Sequence, residues 1–176
     1  DDWNDTPNCV SAVDFLEQFN KGDMKYTANK ILCVGGGDTS IDVVSVARRI
    51  GTLADYNENP EDSATGASTH GDIDASAKKP CDSVVLTALF KQEDMTAAEH
   101  EVQDALIEGV NIMNEVMPVE IIPDENGRAT ALKHADSDFV SSAPVATAGG
   151  WKYIVDCDLL VYAIGQAGDR DGLEVI

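Results

Sequence analysis

Basic residues are scarce in this sequence, which has 12 lysines and arginines against 32 aspartates and glutamates. The formal net charge of the 176-residue chain is −20 at neutral pH. Nucleic acids and anionic membrane surfaces are bound through clusters of lysine and arginine, so neither is expected as a partner. We interpret the acidic residues as a solvated surface, and a basic protein partner or a saline habitat are the open alternatives.

The sequence also lacks the spacing of metal and disulfide sites. Its four cysteines form no Cys-x-x-Cys pair, and no histidine stands at metal-ligand spacing from them. Cys33 and Cys157 lie in apolar runs, and we interpret them as small buried thiols. This cysteine usage fits a reducing compartment, so a cytoplasmic location is expected. The three histidines, His70, His100 and His134, are scattered and are expected at the surface.

Two further classes of protein are not expected. No apolar run is long enough to cross a membrane, so membrane insertion is not predicted. No Ser/His/Asp or Cys/His set can be assembled from the sequence, and no catalytic side chain or metal ligand is predicted. A self-contained short dehydrogenase is disfavoured on the expectation that the sequence has no Tyr-x-x-x-Lys pair.

The sequence does contain an apolar run, three glycines and an apolar-periodic stretch in succession. Ile31–Val34 predicts a buried strand, Gly35–Gly37 a turn, and residues 39–50 a helix that faces a sheet. This is the dinucleotide-binding arrangement, in which the backbone approaches a pyrophosphate at a helix N-terminus. The third position of the G-x-G-x-x-G fingerprint is Ser40, a small residue that still permits close helix–strand contact. A plain βα turn without a ligand is the alternative.

The remaining patterns predict an α/β domain, Rossmann-like, with a mainly parallel sheet, helices on both faces and a small antiparallel β-meander. Helices are predicted over 9–21, capped by Asn8 and ended by Gly22, and over 96–109, capped by Thr96. Strands are predicted over 83–90, 110–113, 118–122, 128–133, 151–157 and 159–164, with a loop over 141–150. Residues 52–82 are too polar and too long for an ordinary connection, and we interpret them as a surface insertion.

Four motifs in order along the chain resemble the glutamate synthase small-subunit family, a group of FAD- and iron–sulfur-dependent NAD(P)H oxidoreductases. They are Val34–Asp42, Met95–Val110, Pro118–Arg128 and Asp158–Gln166. Within the family, residues 40–49 and 87–90 are most similar to the flavoprotein that accompanies dissimilatory sulfite reductase in sulfur bacteria.

The resemblance implies that residues 1–176 are a single NAD(P)H-binding domain, part of a larger flavoprotein. FAD and iron–sulfur clusters would belong to other parts of that protein, and residues 163–176 would begin the return to the FAD domain. The expected partners are the flavin domain of the same chain and an electron-accepting subunit or protein. The alternative is a non-catalytic domain for dinucleotide sensing or subunit assembly.

The expected nucleotide site comprises Gly35, Gly36, Gly37, Asp38, Thr39, Ser40, Lys91, Ala163, Ile164, Gly165 and Gln166. The glycines would line the pyrophosphate, N–H groups at 38–40 and a hydroxyl of Thr39 or Ser40 would bind phosphate, and residues 163–166 would approach the nicotinamide. Asp38 replaces the family's common asparagine, and its carboxylate could point away and bond a neighbouring N–H.

Acidic residues at two places, after the second strand and in the first turns of the helix at 39–50, bear on how a nucleotide would bind. Lys91 stands alone before Glu93 and Asp94 after the second strand, a poor clamp for a 2′-phosphate, so NADH is preferred over NADPH. The alternative for Lys91 is a solvated surface lysine. Asp42, one turn into the helix, either complements the helix dipole or faces the flavin side.

Overall fold

The structure is a computed structural model that describes residues 3–22, 28–50, 83–140, 143–147 and 149–164. The predicted insertion at 52–82 lies outside these residues. So do His70, Gly165 and Gln166.

The described elements alternate between strands and helices before ending in a series of strands. Short 3-10 helices lie at Trp3–Asp5 and Gln92–Asp94. The helices are α1 (Ala12–Lys21), α2 (Asp38–Ile50) and α3 (Glu99–Ile107). The strands are β1 (Cys9–Ser11), β2 (Lys30–Val34), β3 (Ser83–Thr87), β4 (Asn111–Met113), β5 (Val116–Pro123), β6 (Ala129–Val140), β7 (Ala143–Ala146), β8 (Tyr153–Asp156) and β9 (Leu159–Tyr162).

Five strands form a parallel sheet in the order β1-β9-β2-β3-β4. The central strands are continuous apolar runs, as expected for parallel strands that are buried on both faces. From β2 the chain leaves through α2 toward β3 on one side, whereas β9 lies on the other side. The carboxyl ends of β2 and β9 therefore flank a topological switch point, where open α/β sheets bind ligands.

The two faces of this sheet are covered by different layers. Ile31 and Cys33 of β2 belong to one core cluster with the buried residues of all three helices. Leu32 and Val34, which point to the opposite face, pack with Leu132 and other residues of the antiparallel strands. The predicted fold class is confirmed, but the described helices share one face, so the expected helices on both faces are not found among them.

The second face is covered by an antiparallel sheet in which β6 is central. It pairs with β5 along one edge and with β8 and β7 along the other. The β5–β6 hairpin is confirmed: the Asp124 carboxylate accepts from the N–H groups of Asn126 and Arg128 at 2.8 and 2.9 Å, and Gly127 has φ of 79°. The prediction of a loop over 141–150 is wrong at β7, because that segment pairs with the end of β6.

The N-terminal helix begins three residues later than predicted. Cys9–Ser11 forms an edge strand beside β9, and the Ser11 hydroxyl, not Asn8, caps α1 by accepting from the Asp14 N–H at 3.1 Å. The buried Asn8 side chain instead accepts from the Ala129 N–H at 2.7 Å. Its amide donates to the carbonyls of Ala129 and Asp158 at 2.9 and 2.8 Å. No helix in the described part of the chain is both long and apolar enough to span a membrane.

The predicted buried thiols are confirmed. Cys33 is fully buried in β2, and Cys157 is 4% exposed between β8 and β9. Burial raises the pKa of Cys33 well above its ordinary value and raises the pKa of Cys157 to about 12. Both side chains therefore stay protonated at neutral pH and act as small apolar groups.

Candidate functional site

The glycine turn lies at the switch point of the parallel sheet, between the ends of β3 and β9. The Gly35 N–H donates to the Thr87 carbonyl at 3.0 Å. On the other side, the Ala163 N–H donates to the Val34 carbonyl at 2.8 Å. These two bonds fix the start of the turn to both neighbouring strand ends, with Ala163 and Ile164, both half-buried, beside it.

The three glycines differ in how much room their surroundings leave for a Cβ. A Cβ on Gly35 would lie 3.0 Å from the Cβ atoms of Ser40 and Ala163, so the packing of the protein excludes a larger residue there. A Cβ on Gly36 would meet nothing closer than the Ala88 Cβ at 3.5 Å, an ordinary contact. A Cβ on Gly37 would lie 3.3 Å from the Thr96 hydroxyl, the end of a movable side chain.

Gly36 is therefore not demanded by its described surroundings. Its φ lies outside the left-handed region that favours glycine, and the same holds for Gly35 and Gly37. A residue without a Cβ at this position would let a ligand approach the backbone closely.

The first turn of α2 presents backbone N–H groups. The Gly37 carbonyl accepts from the N–H groups of Ser40 and Ile41 at 3.0 and 3.3 Å. The N–H groups of Asp38 and Thr39 have no carbonyl one turn back in the helix, and no other acceptor is assigned to them within the described residues. Such N–H groups, together with the helix dipole, are able to bind an anion.

Of the two hydroxyls considered from the sequence, that of Ser40 is already engaged inside the turn. Its hydroxyl donates to the Gly37 carbonyl at 2.6 Å, and the residue is fully buried. Both polar hydrogens of Ser40 are thus used inside the turn, so its predicted bond to phosphate does not fit this geometry. Thr39, which is half-buried, provides the hydroxyl near the turn.

Asp38 points away from the open side of the turn. Its carboxylate Oδ1 accepts from the N–H of Ala98 at 3.1 Å, at the start of α3. This is the orientation considered from the sequence, a hydrogen bond to a neighbouring backbone N–H. Asp42, one turn further along α2, is exposed.

The segment after β3 carries the expected charges at the surface. Lys91, Glu93 and Asp94 are all exposed, and the last two lie in a 3-10 helix. The segment begins at the carboxyl edge of the parallel sheet, next to the strand that feeds the glycine turn. It is therefore on the correct edge to meet the ribose of a nucleotide bound at that turn.

His134 was not recognised from the sequence as a buried residue, and the prediction that it lies at the surface is wrong. Its Nδ1 lies 3.1 Å from the Leu132 carbonyl, and its Nε2 lies 3.2 Å from the Thr87 hydroxyl. Because a carbonyl only accepts, the ring proton is assigned to Nδ1, and Nε2 accepts from Thr87. Burial lowers the His134 pKa to about 4. Strand alternation is the signal that could have found it, because His134 is two residues from the buried Leu132.

One spacing contradicts an expectation from the sequence. Tyr26 and Lys30 stand four residues apart, the separation of a Tyr-x-x-x-Lys pair. Lys30 is the exposed first residue of β2, at the opposite edge of the sheet from the glycine turn, and Tyr26 lies outside the described residues. The position of Lys30 gives it no access to a nucleotide held at the turn.

Comparison with known proteins supports an oxidoreductase relationship. No family model matches the chain. It is 27% identical over 165 residues to NADPH-Fe(3+) oxidoreductase subunit beta of Geobacter sulfurreducens, covering 90% of this chain and 20% of that protein. The chain thus spans about a fifth of the length of this curated relative.

The fold matches a solved oxidoreductase. The structure of Mycobacterium tuberculosis FprA in complex with NADPH aligns with a TM-score of 0.62 at 12% identity, over 92% of this chain and 45% of FprA. This likeness confirms the Rossmann-like fold. The sequence relative is an oxidoreductase subunit by its name, the structural likeness shows the fold, and the resemblance to the glutamate synthase small-subunit family stays a prediction.

Proposed function

We propose that this chain is the nicotinamide-nucleotide-binding module of a multi-cofactor flavoprotein oxidoreductase related to the glutamate synthase small subunit. It holds NAD(P)H so that hydride passes to FAD on another domain. The observation that carries the proposal is the glycine turn, where N–H groups at the start of α2 without an assigned acceptor in the described part of the chain meet a backbone free of Cβ atoms at the switch point.

The residues at the turn suit a diphosphate. In a chain with a net charge of −20, an anionic ligand needs a local source of positive potential. The N–H groups of Asp38 and Thr39 and the dipole of α2 supply it, and Gly36 leaves room for phosphate oxygens to approach the backbone. Ala163 and Ile164, beside Gly35, would border the nicotinamide half. The module contributes position, and the flavin contributes the redox chemistry.

The segment after β3 favours NADH. An NADPH site needs cationic groups to hold the 2′-phosphate, and Lys91 shares this exposed segment with Glu93 and Asp94. A 2′-phosphate beside these carboxylates would cost about 1 kcal/mol, or about fivefold in affinity. The sequence relative is named for NADPH, so the preference of this chain is a sharp test of how far the relationship extends.

Calorimetric titration of this chain with NADH and NADPH tests the binding step. We expect both nucleotides to bind, with NADH about fivefold tighter. Gly37→Val should abolish binding without unfolding the domain, because the added side chain projects at the turn and the neighbouring Thr96 hydroxyl can move. Circular dichroism monitors the fold. No heat with either nucleotide, or unchanged binding by Gly37→Val, would contradict the proposal.

Flavin reduction separates the enzyme from a sensing or assembly domain. In the full-length protein, rapid mixing with NADH should reduce the flavin and bleach the visible absorbance of its oxidised form. The matched Gly37→Val protein should retain its flavin and reduce it slowly. Nucleotide binding without any bleaching would instead favour a non-catalytic role.

A further inference from the structure

A short segment before α3 lies against the glycine turn. Its four residues, Met95–Ala98, lie beside Gly36, Gly37 and Asp38. The Ala98 N–H donates to the Asp38 carboxylate at 3.1 Å, and the Ala97 N–H donates to the Gly36 carbonyl at 3.3 Å. The site where Gly37 would carry a Cβ lies 3.3 Å from the Thr96 hydroxyl. One side of the turn is thus bounded by this segment.

The start of α3 depends on Asp38 for its cap. Ala98 occupies the N-cap position and has no side-chain oxygen to accept from the first N–H groups. The carboxylate of Asp38, 60 residues earlier in the sequence, accepts from Ala98 itself. The hydrogen bond therefore joins the N-termini of two helices and anchors Met95–Ala98 beside the turn.

This anchoring sets the direction of one N–H group. The carbonyl of Gly36 and the N–H of Gly37 belong to the same peptide unit, and in a planar trans peptide they point in opposite directions. Because the Gly36 carbonyl points at Ala97, the Gly37 N–H points away from the segment, toward the other side of the turn. A shift of Met95–Ala98 would release this peptide to rotate.

We propose that Asp38 is a positioning residue for the nucleotide: its carboxylate binds no phosphate but fastens Met95–Ala98, and so holds the Gly37 N–H toward the diphosphate. This inference rests on the proposed function, since it concerns the same turn. It also explains how an acid can stand at an anion site, because the hydrogen bond keeps the charge directed toward α3.

Two substitutions at one position separate the hydrogen bond from the charge. Asp38→Asn and Asp38→Ala both remove the negative charge, but only asparagine keeps an oxygen that can accept from Ala98. We expect Asp38→Ala to bind NADH about fivefold more weakly than Asp38→Asn, the effect of one lost neutral hydrogen bond. Asp42→Ala, which removes an exposed carboxylate from the same helix, should change affinity by less than about twofold.

Amide exchange and a double-mutant cycle test whether the hydrogen bond between Asp38 and Ala98 causes the difference in NADH affinity. By NMR without nucleotide, the Ala97 and Ala98 N–H groups should exchange faster in Asp38→Ala than in Asp38→Asn. Ala98→Pro removes the donor at a residue whose φ of −62° suits proline, and in that background the two Asp38 variants should bind NADH equally. If Asp38→Ala alone is too unstable to measure, Ala98→Pro removes the same hydrogen bond from its donor side and should also bind NADH more weakly than Asp38→Asn.

The outcomes distinguish the two proposals. If the unmodified chain binds neither nucleotide, the proposed function fails and this inference fails with it. If the unmodified chain binds NADH but Asp38→Ala and Asp38→Asn bind it equally, the proposed function stands and the positioning role is overturned. A difference between them that persists in the Ala98→Pro background would also overturn the positioning role.

Discussion

The neighbouring strands β2 and β3 end at the same edge of one sheet, but the backbone groups that follow them differ in their hydrogen bonding. We call the segment after β2 the open end and the segment after β3 the closed end. After β2, the N–H groups of Asp38 and Thr39 have no assigned acceptor among the described residues. After β3, every carbonyl from residue 87 to residue 90 accepts a hydrogen bond. The donors are the N–H of Gly35, the N–H of Val116, the hydroxyl of Ser137, and the side-chain amide of Asn114 with the N–H of Glu115.

The difference shows what the antiparallel sheet contributes to the site. Ser137 and Val116 belong to that sheet, and His134, from the same sheet, bonds the Thr87 hydroxyl. The closed end of β3 is therefore a fixed support, and its Thr87 carbonyl holds Gly35 at the start of the open turn. The first N–H groups of a helix have no acceptor within the helix, so the end of β2 is an edge where a ligand could supply the partner.

The largest expected effect tests whether Gly35 and Gly36 serve packing and binding separately. Gly35→Ala would force a Cβ to within 3.0 Å of Ser40 and Ala163, and we expect it to lower the free energy of unfolding by about 3 kcal/mol. Gly36→Ala, with no contact shorter than 3.5 Å, should change that free energy by less than about 0.5 kcal/mol. Urea denaturation of the two variants measures both values.

Affinity should show the reverse pattern at Gly36. The folded Gly36→Ala chain should lose at least about tenfold in affinity for NADH, because its new methyl group stands where phosphate oxygens approach. Equal destabilisation by the two substitutions would show that Gly36 also serves packing. Full retention of NADH affinity by Gly36→Ala would remove the argument that its missing Cβ serves a ligand.

A smaller effect, dependent on pH, tests the closed end. Burial holds the His134 pKa at about 4, below its ordinary value of 6.5, so the unfolded chain takes up the proton first as pH falls. Stability from this group is complete above pH 6.5, falls as pH decreases toward 4, and levels off below that value. Between pH 7 and pH 5 we expect a loss of about 2 kcal/mol in the free energy of unfolding.

The many carboxylates of this chain also respond to pH, so the measurement needs a matched control. His134→Gln keeps a neutral side chain of similar size and cannot take up the proton. The unfolding free energy of the parent chain should fall by about 2 kcal/mol more than that of His134→Gln between pH 7 and pH 5. Parallel pH profiles for the two proteins would show that His134 is accessible to protons in the folded state.

Structural features that depend on residues close together in the sequence could be predicted from it. The strand Ile31–Val34, the glycine turn and α2 follow from local composition and periodicity, and so does the hairpin at Asp124–Gly127. In each case the residues that determine the structure lie next to the structure they determine. The orientation of Asp38 was also considered from the sequence, because a carboxylate close to a diphosphate is unfavourable.

Features that depend on distant partners could not be predicted in the same way. Cys9–Ser11 is a strand only because β9 lies beside it, and its sequence continues the apolar period of α1. His134 is buried because Thr87, 47 residues away, meets its ring. Ser40 has the small size that the fingerprint needs, but its hydroxyl is committed to Gly37 by the geometry of the turn. Composition does not reveal these pairings.

The smallest expected effect tests whether the open and closed ends act independently. The Ser137 hydroxyl donates to the Leu89 carbonyl at 2.6 Å, and Ser137→Ala should lower the free energy of unfolding by about 1 kcal/mol. Ser83→Ala, at the opposite end of β3, is the control and should cost less than about 0.5 kcal/mol. Because the Thr87 carbonyl and not the Leu89 carbonyl holds Gly35, NADH affinity should stay within about twofold in both variants. If Ser137→Ala instead weakened NADH binding as much as Gly36→Ala does, the two strand ends would form one coupled unit, and the antiparallel sheet would shape the nucleotide site as well as support it.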